Sequence, residues 1–138
     1  MKHAIIFTML CFCLLLTGSL NAEKVKIGLE VLQEKNFDIL RGKKVGIITN
    51  QTGVDSNFNS VVDILKNAKD VTVVCVFSPE HGFFGGVQGN VNDVTDPKTG
   101  VPVFSLYGST RKIPEDKLKN MDVIVYDIQD IGSRSYTY

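Results

Sequence analysis

The chain has 138 residues, enough for one domain of ordinary size, and 43% of them are apolar, as in a globular protein. Fifteen basic residues balance fifteen acidic ones. No basic excess points to nucleic acid, and no acidic block points to a disordered tail.

Residues 1–22 read as a secretory signal peptide. Lys2 and His3 precede an apolar run from Ala4 to Leu16, and small and polar residues lead on to Ala22. The run is short for a membrane span. Ala22 suits a cleavage site, although Leu20 is larger than usual two positions earlier. The expectation is export to the periplasm or cell envelope, a mature chain beginning near Glu23, and no stable membrane anchor. Cys11 and Cys13 lie inside this run, so Cys75 is the one thiol left after cleavage. It is expected in the core, with no disulfide and no cysteine-based metal site.

From Glu23 to Arg41, Leu29, Leu32, Phe37 and Leu40 recur at a roughly helical spacing, and Gly42 is placed to end the element. Val45–Thr49 is a short buried strand, broken by the turn residues Asn50-Gln51-Thr52-Gly53. Ser56 to Asp70 carries Val61, Val62, Ile64, Leu65 and Ala68 on a helical period, with Ser56, Asn57 or Asn59 as its cap. Residues 71–77 form an uninterrupted apolar and β-branched run, as in a strand covered on both faces. That run stops at Ser78-Pro79-Glu80-His81-Gly82, because Pro79 has no N–H to give a ladder.

Gly82 to Gly100 reads as a long loop, rich in glycine and asparagine, of the kind that is usually functional or mobile. A short strand over 101–106 follows, then a turn at 107–110. A short helix over 114–120 has Pro114 in its first turn, and a strand spans 122–127. Strands alternating with helices predict an α/β fold with a parallel sheet. The strands at 44–49, 71–77 and 122–127 then bring three polar clusters to one sheet edge: Asn50-Gln51-Thr52, Glu80-His81, and Asp127 with Gln129 and Asp130. Open α/β sheets bind ligands at that edge.

Each cluster also has a plainer reading, as turn chemistry, a solvated loop pair or a helix cap. Gly82-Phe-Phe-Gly-Gly-Val-Gln-Gly89 lacks the spacing of a dinucleotide fingerprint, and no P-loop is present. No nucleotide cofactor is expected. After cleavage one imidazole, that of His81, remains among scattered carboxylates, which is weak evidence for a metal site, and no serine stands in an elbow motif.

Five motifs occur together and in order: Lys44-Val-Gly-Ile-Ile-Thr-Asn-Gln-Thr-Gly-Val54, Phe77-Ser-Pro-Glu-His-Gly82, Asp96-Pro-Lys-Thr-Gly100, Ser105-Leu-Tyr-Gly108, and Asp127-Ile-Gln-Asp-Ile-Gly132 with Arg134 and Tyr136-Thr-Tyr138. In these the chain resembles the NamZ-type exo-β-N-acetylmuramidase family of glycoside hydrolases, from about Gly28 to its last residue. The resemblance implies a Rossmann-like N-terminal domain, a smaller C-terminal domain and an active site in the cleft between them. It implies release of N-acetylmuramic acid from the non-reducing ends of peptidoglycan fragments. The family's acidic catalytic residue lies in Pro-Glu-His-Gly, which maps onto Glu80.

On that resemblance Glu80 is the candidate general acid. His81 is its neighbour or a carboxylate ligand, and Asp127 is one candidate for the second catalytic group. Asn50, Gln51, Thr52, Gln129, Arg134 and Tyr136 are candidates for binding the sugar. Family members are much longer, so residues 23–138 read as the N-terminal part of a catalytic domain. The rival reading is a non-catalytic envelope protein that binds muropeptides.

Overall fold

The computed structural model describes residues 25–86 and 92–133. The signal-peptide reading, Arg134 and Tyr136 lie outside the described residues. In chain order the elements are α1 (Gly28–Glu34), a 3-10 turn (Asp38–Leu40), β1 (Lys44–Thr49), α2 (Val61–Asn67), β2 (Thr72–Ser78), β3 (Val94–Thr95), β4 (Pro102–Ser105), α3 (Glu115–Leu118) and β5 (Val123–Asp127). They build a five-stranded sheet in the order β3-β4-β2-β1-β5. The fold is α/β as expected. The four longer strands pair in parallel.

Several boundaries differ from the sequence reading, each for a local reason. The first helical pattern splits, because Asn36 and Phe37 both take left-handed backbone angles, which end a helix. The following α-helix starts at Val61, and Ser60 is its cap: the Ser60 hydroxyl accepts from the N–H of Val62 at 3.2 Å. The three residues expected to cap it lie in the turn before Ser60. The buried Asp55 carboxylate accepts from the N–H groups of Asn57 and Asn59, and the Ser56 hydroxyl donates to Glu30. Pro114 is the residue before α3 and not part of its first turn. The loop from 82 to 100 is not without structure, since Val94–Thr95 pairs antiparallel with β4.

Two cores flank the sheet. One gathers Leu29, Leu40, Val61, Val62 and Leu65 from the helical side against Val45, Ile47, Val73, Val76 and Val103. The other gathers Cys75, Phe77 and Leu106, with Phe104, Ile113 and Met121 packed on them. A bulge shifts the register of β2 against β1. Val45 pairs with Val73, but Gly46 pairs with Cys75, so Val74 is the extra residue. Gly46 is required by packing. A Cβ there would lie 2.1 Å from the Met121 sulfur. Met121 in turn sits 3.7 Å from the Cys75 sulfur. Cys75 is buried as expected, and burial pushes its thiol pKa up.

Candidate active site

The pairing register makes the site. Ile48 pairs with Phe77 on one side and Tyr126 on the other, and Thr49 pairs with Asp127. The carboxyl ends of β2, β1 and β5 therefore lie level along one edge. The parallel strands run β4-β2-β1-β5, so the chain's progress across the sheet reverses between β1 and β5. Such reversals open a crevice outside the strand ends.

The end of β1 is locked to the end of β5 by hydrogen bonds. The Thr49 hydroxyl, fully buried, donates to the carbonyl of Asp127 at 2.7 Å. The Asn50 side-chain oxygen accepts from the Thr52 N–H at 2.9 Å and its hydroxyl at 2.7 Å, an Asx turn. The Thr52 hydroxyl oxygen then accepts from the N–H of Gln129 at 2.9 Å. Asn50, Thr52 and Gln129 thus form one connected group. Gly53 closes the turn where a Cβ would lie 2.1 Å from the Thr49 hydroxyl and 2.8 Å from the Asp127 carbonyl.

The end of β2 carries the acidic loop. The Ser78 carbonyl accepts from Leu106 N–H at 2.8 Å, tying the loop's root to β4. Pro79 is buried, Glu80 half-buried and His81 exposed. His81 and Gly82 both have left-handed angles, φ +68° and +74°, and the Gly82 N–H bonds the Pro79 carbonyl at 3.1 Å. For His81 this backbone costs on the order of 1 kcal/mol, a strain that clusters at functional sites. The loop then turns back on β1: a Cβ on Gly85 would lie 2.4 Å from the Gln51 amide carbon. Gln51 is thereby set against the loop that holds Glu80.

At the far end of the edge, Asp127 is half-buried. Its Oδ2 is enclosed, with no hydrogen-bond partner among the described residues. Desolvation by burial raises its pKa from the ordinary carboxylate value. A cavity of about 510 Å³ opens between α1 and β5, with Asp127 and Gln129 at one end and Leu29, Leu32 and Val125 along its walls.

A second cavity, of about 290 Å³, lies beside Asn50 and Gln51 and is walled by Phe83, Phe84 and Pro97. Sequence reading passed over these three residues. The signal was present as two adjacent aromatics inside a glycine-rich run directly after Glu80-His81.

Residues 45–138 match the family model described as exo-beta-N-acetylmuramidase NamZ, N-terminal. The chain is 45% identical over 117 residues to the peptidoglycan beta-N-acetylmuramidase NamZ of Bacillus subtilis (strain 168), covering 83% of this chain and 28% of that protein. It is also similar to two crystal structures of DUF1343 family proteins from Bacteroides fragilis NCTC 9343. One is 54% identical with a TM-score of 0.74, covering 82% of this chain and 28% of the other. The second is 40% identical with a TM-score of 0.66, covering 84% and 29%. The chain spans less than a third of the length of the relatives it matches.

Proposed function

This chain belongs to the NamZ N-terminal family, and from that premise we propose that it carries catalytic groups of an exo-acting β-N-acetylmuramidase. The substrate is the terminal N-acetylmuramic acid of peptidoglycan fragments. The observation that carries the reading is the level register of β2, β1 and β5. It sends the Glu80 loop and Asp127 off one edge, two strand spacings apart, roughly 10 Å between backbones.

Hydrolysis of a glycosidic bond needs a proton for the leaving oxygen and a second group acting from the other side of the sugar. Glu80 delivers the proton. Asp127 takes a proton from the attacking water. Its raised pKa makes its carboxylate a stronger base than an exposed one. Asn50, Gln51, Thr52 and Gln129 hold the sugar between them, and His81 pairs with Glu80 or with the lactyl carboxylate. Peptidoglycan lies outside the cytoplasmic membrane, so the reading includes export. N-terminal sequencing that finds Glu23 as the first residue of the mature protein supports it, and intact Met1 in a cytoplasmic fraction opposes it.

The test of the activity places residues 45–138 in the Bacillus subtilis relative, in exchange for the matching segment. Release of N-acetylmuramic acid from peptidoglycan fragments is then followed. Release by the graft and its loss on Glu80→Gln support the reading. A folded graft that releases nothing overturns it.

A further inference from the structure

The cavity beside Asn50 and Gln51 has a composition that selects its ligand. Phe83 and Phe84 meet edge to face, with ring centroids 4.9 Å apart. They form one wall with Pro97 and Val54. Phe83 is anchored on the hydrophobic core, whereas Phe84 is 61% exposed, which is unusual for so large an apolar group beside a polar strand end. Lys98 and Asp63 line the far side and neutralise each other at 2.5 Å. Asp96 also lines the cavity, buried, with its carboxylate accepting from the N–H groups of Lys98 and Thr99 and from the Thr99 hydroxyl, so each charged group of the lining is already engaged with a neighbour.

What remains is amide chemistry. The Asn50 side chain cannot turn over, because its oxygen already accepts from both the N–H and the hydroxyl of Thr52. Its Nδ2 is therefore a donor of fixed direction, and it makes no hydrogen bond among the described residues. The Gln51 amide likewise has none, and it is held in place against Gly85. Two amides with unused capacity, next to aromatic and proline walls, match a small group that is itself half amide and half methyl.

Resting on the muramidase reading, we propose that this cavity is the subsite for the acetamido group of the sugar. Asn50 Nδ2 donates to the acetamido carbonyl, and the methyl packs against Phe84, Phe83 and Pro97. Phe84 is then a specificity-determining residue, which distinguishes N-acetylated sugars from those with a free amine. A free amine is an ammonium at neutral pH, and burying it against the Phe83, Phe84 and Pro97 wall strips its water, while the lining carboxylates of Asp63 and Asp96 are already engaged by Lys98 and Thr99.

The experiment titrates the chain with N-acetylmuramic acid and with muramic acid, with binding read by saturation transfer from protein to sugar protons. The acetyl methyl protons of N-acetylmuramic acid receive the strongest transfer, and muramic acid binds at least about tenfold more weakly. Phe84→Ala weakens N-acetylmuramic acid roughly 3- to 10-fold, Phe84→Leu less, and both variants keep the parent far-UV circular dichroism. Ile39→Ala, an exposed apolar side chain on the other cavity, leaves binding unchanged. Equal binding of the two sugars, indifference to Phe84→Ala, sensitivity to Ile39→Ala in its place, or no binding at all each overturns the subsite. The muramidase reading is judged separately, by sugar release from the graft and its Glu80→Gln variant.

Discussion

Thr49 holds Asp127 by its backbone, through a 2.7 Å hydrogen bond from a side chain with no solvent exposure. This bond fastens the ends of two neighbouring strands at the point where the strand order reverses. Thr49→Val keeps the shape and removes the donor, leaving the Asp127 carbonyl without it. The expected cost is about 1–3 kcal/mol, read as a lower urea midpoint with an unchanged slope. No change in midpoint would mean that the bond contributes nothing to holding the strand ends together.

Gly53 sits on the same junction. An added methyl meets the Thr49 hydroxyl at 2.1 Å and the Asp127 carbonyl at 2.8 Å, and the second of these is backbone that cannot rotate away. Gly53→Ala is therefore expected to destabilise by about 1–3 kcal/mol and to weaken sugar binding with it. Gly86→Ala has open space around the added methyl and serves as the control. If the two variants melt alike, the junction has room for the added methyl.

The sequence made the strands legible because β1, β2 and β5 are β-branched runs, and their polar ends follow directly. The edge cluster of Asn50, Thr52 and Gln129 could be inferred from parallel pairing alone. What stayed hidden depended on contacts between distant residues. The two-residue strand Val94–Thr95 has no apolar period and exists through its pairing with Pro102 and Val103. The cap of α2 fell to Ser60 because contacts of Asp55 with the N–H groups of Asn57 and Asn59, and of Glu30 with Ser56, hold residues 55–59 in a turn ahead of the helix. The Phe83–Phe84 wall was concealed by glycines that read as loop.

Asp127 gives the stability a predictable pH dependence. Burial raises its folded-state pKa above the ordinary 3.8, so the folded protein holds this proton more tightly than the unfolded chain does. Its contribution is most favourable below the ordinary value and is lost as pH rises through the raised one. Asp127→Asn carries no charge and escapes that loss. Subtracting the denaturation midpoints of variant and parent across the acid range should give a difference that grows in the variant's favour with rising pH and then levels. A flat difference would remove desolvation as the cause.

Glu80 is the residue on which the proposed chemistry turns. Its loop leaves β2 through a buried proline, holds a histidine in left-handed geometry and folds back onto Gln51. Such a loop fixes a carboxyl group in place better than a mobile one does. Glu80→Gln keeps shape and hydrogen-bonding capacity but has no proton to deliver. In the grafted enzyme, loss of a general acid should slow release of N-acetylmuramic acid from natural ends by roughly 100- to 10,000-fold. A nitrophenyl N-acetylmuraminide has a leaving oxygen that needs little protonation, so its hydrolysis should fall far less. That contrast separates the roles. If both substrates suffer equally and severely, Glu80 acts as the nucleophile. If neither changes by more than a few fold, Glu80 has no part in catalysis, and the acid must come from another position on the same edge, with Asp127 the first to test.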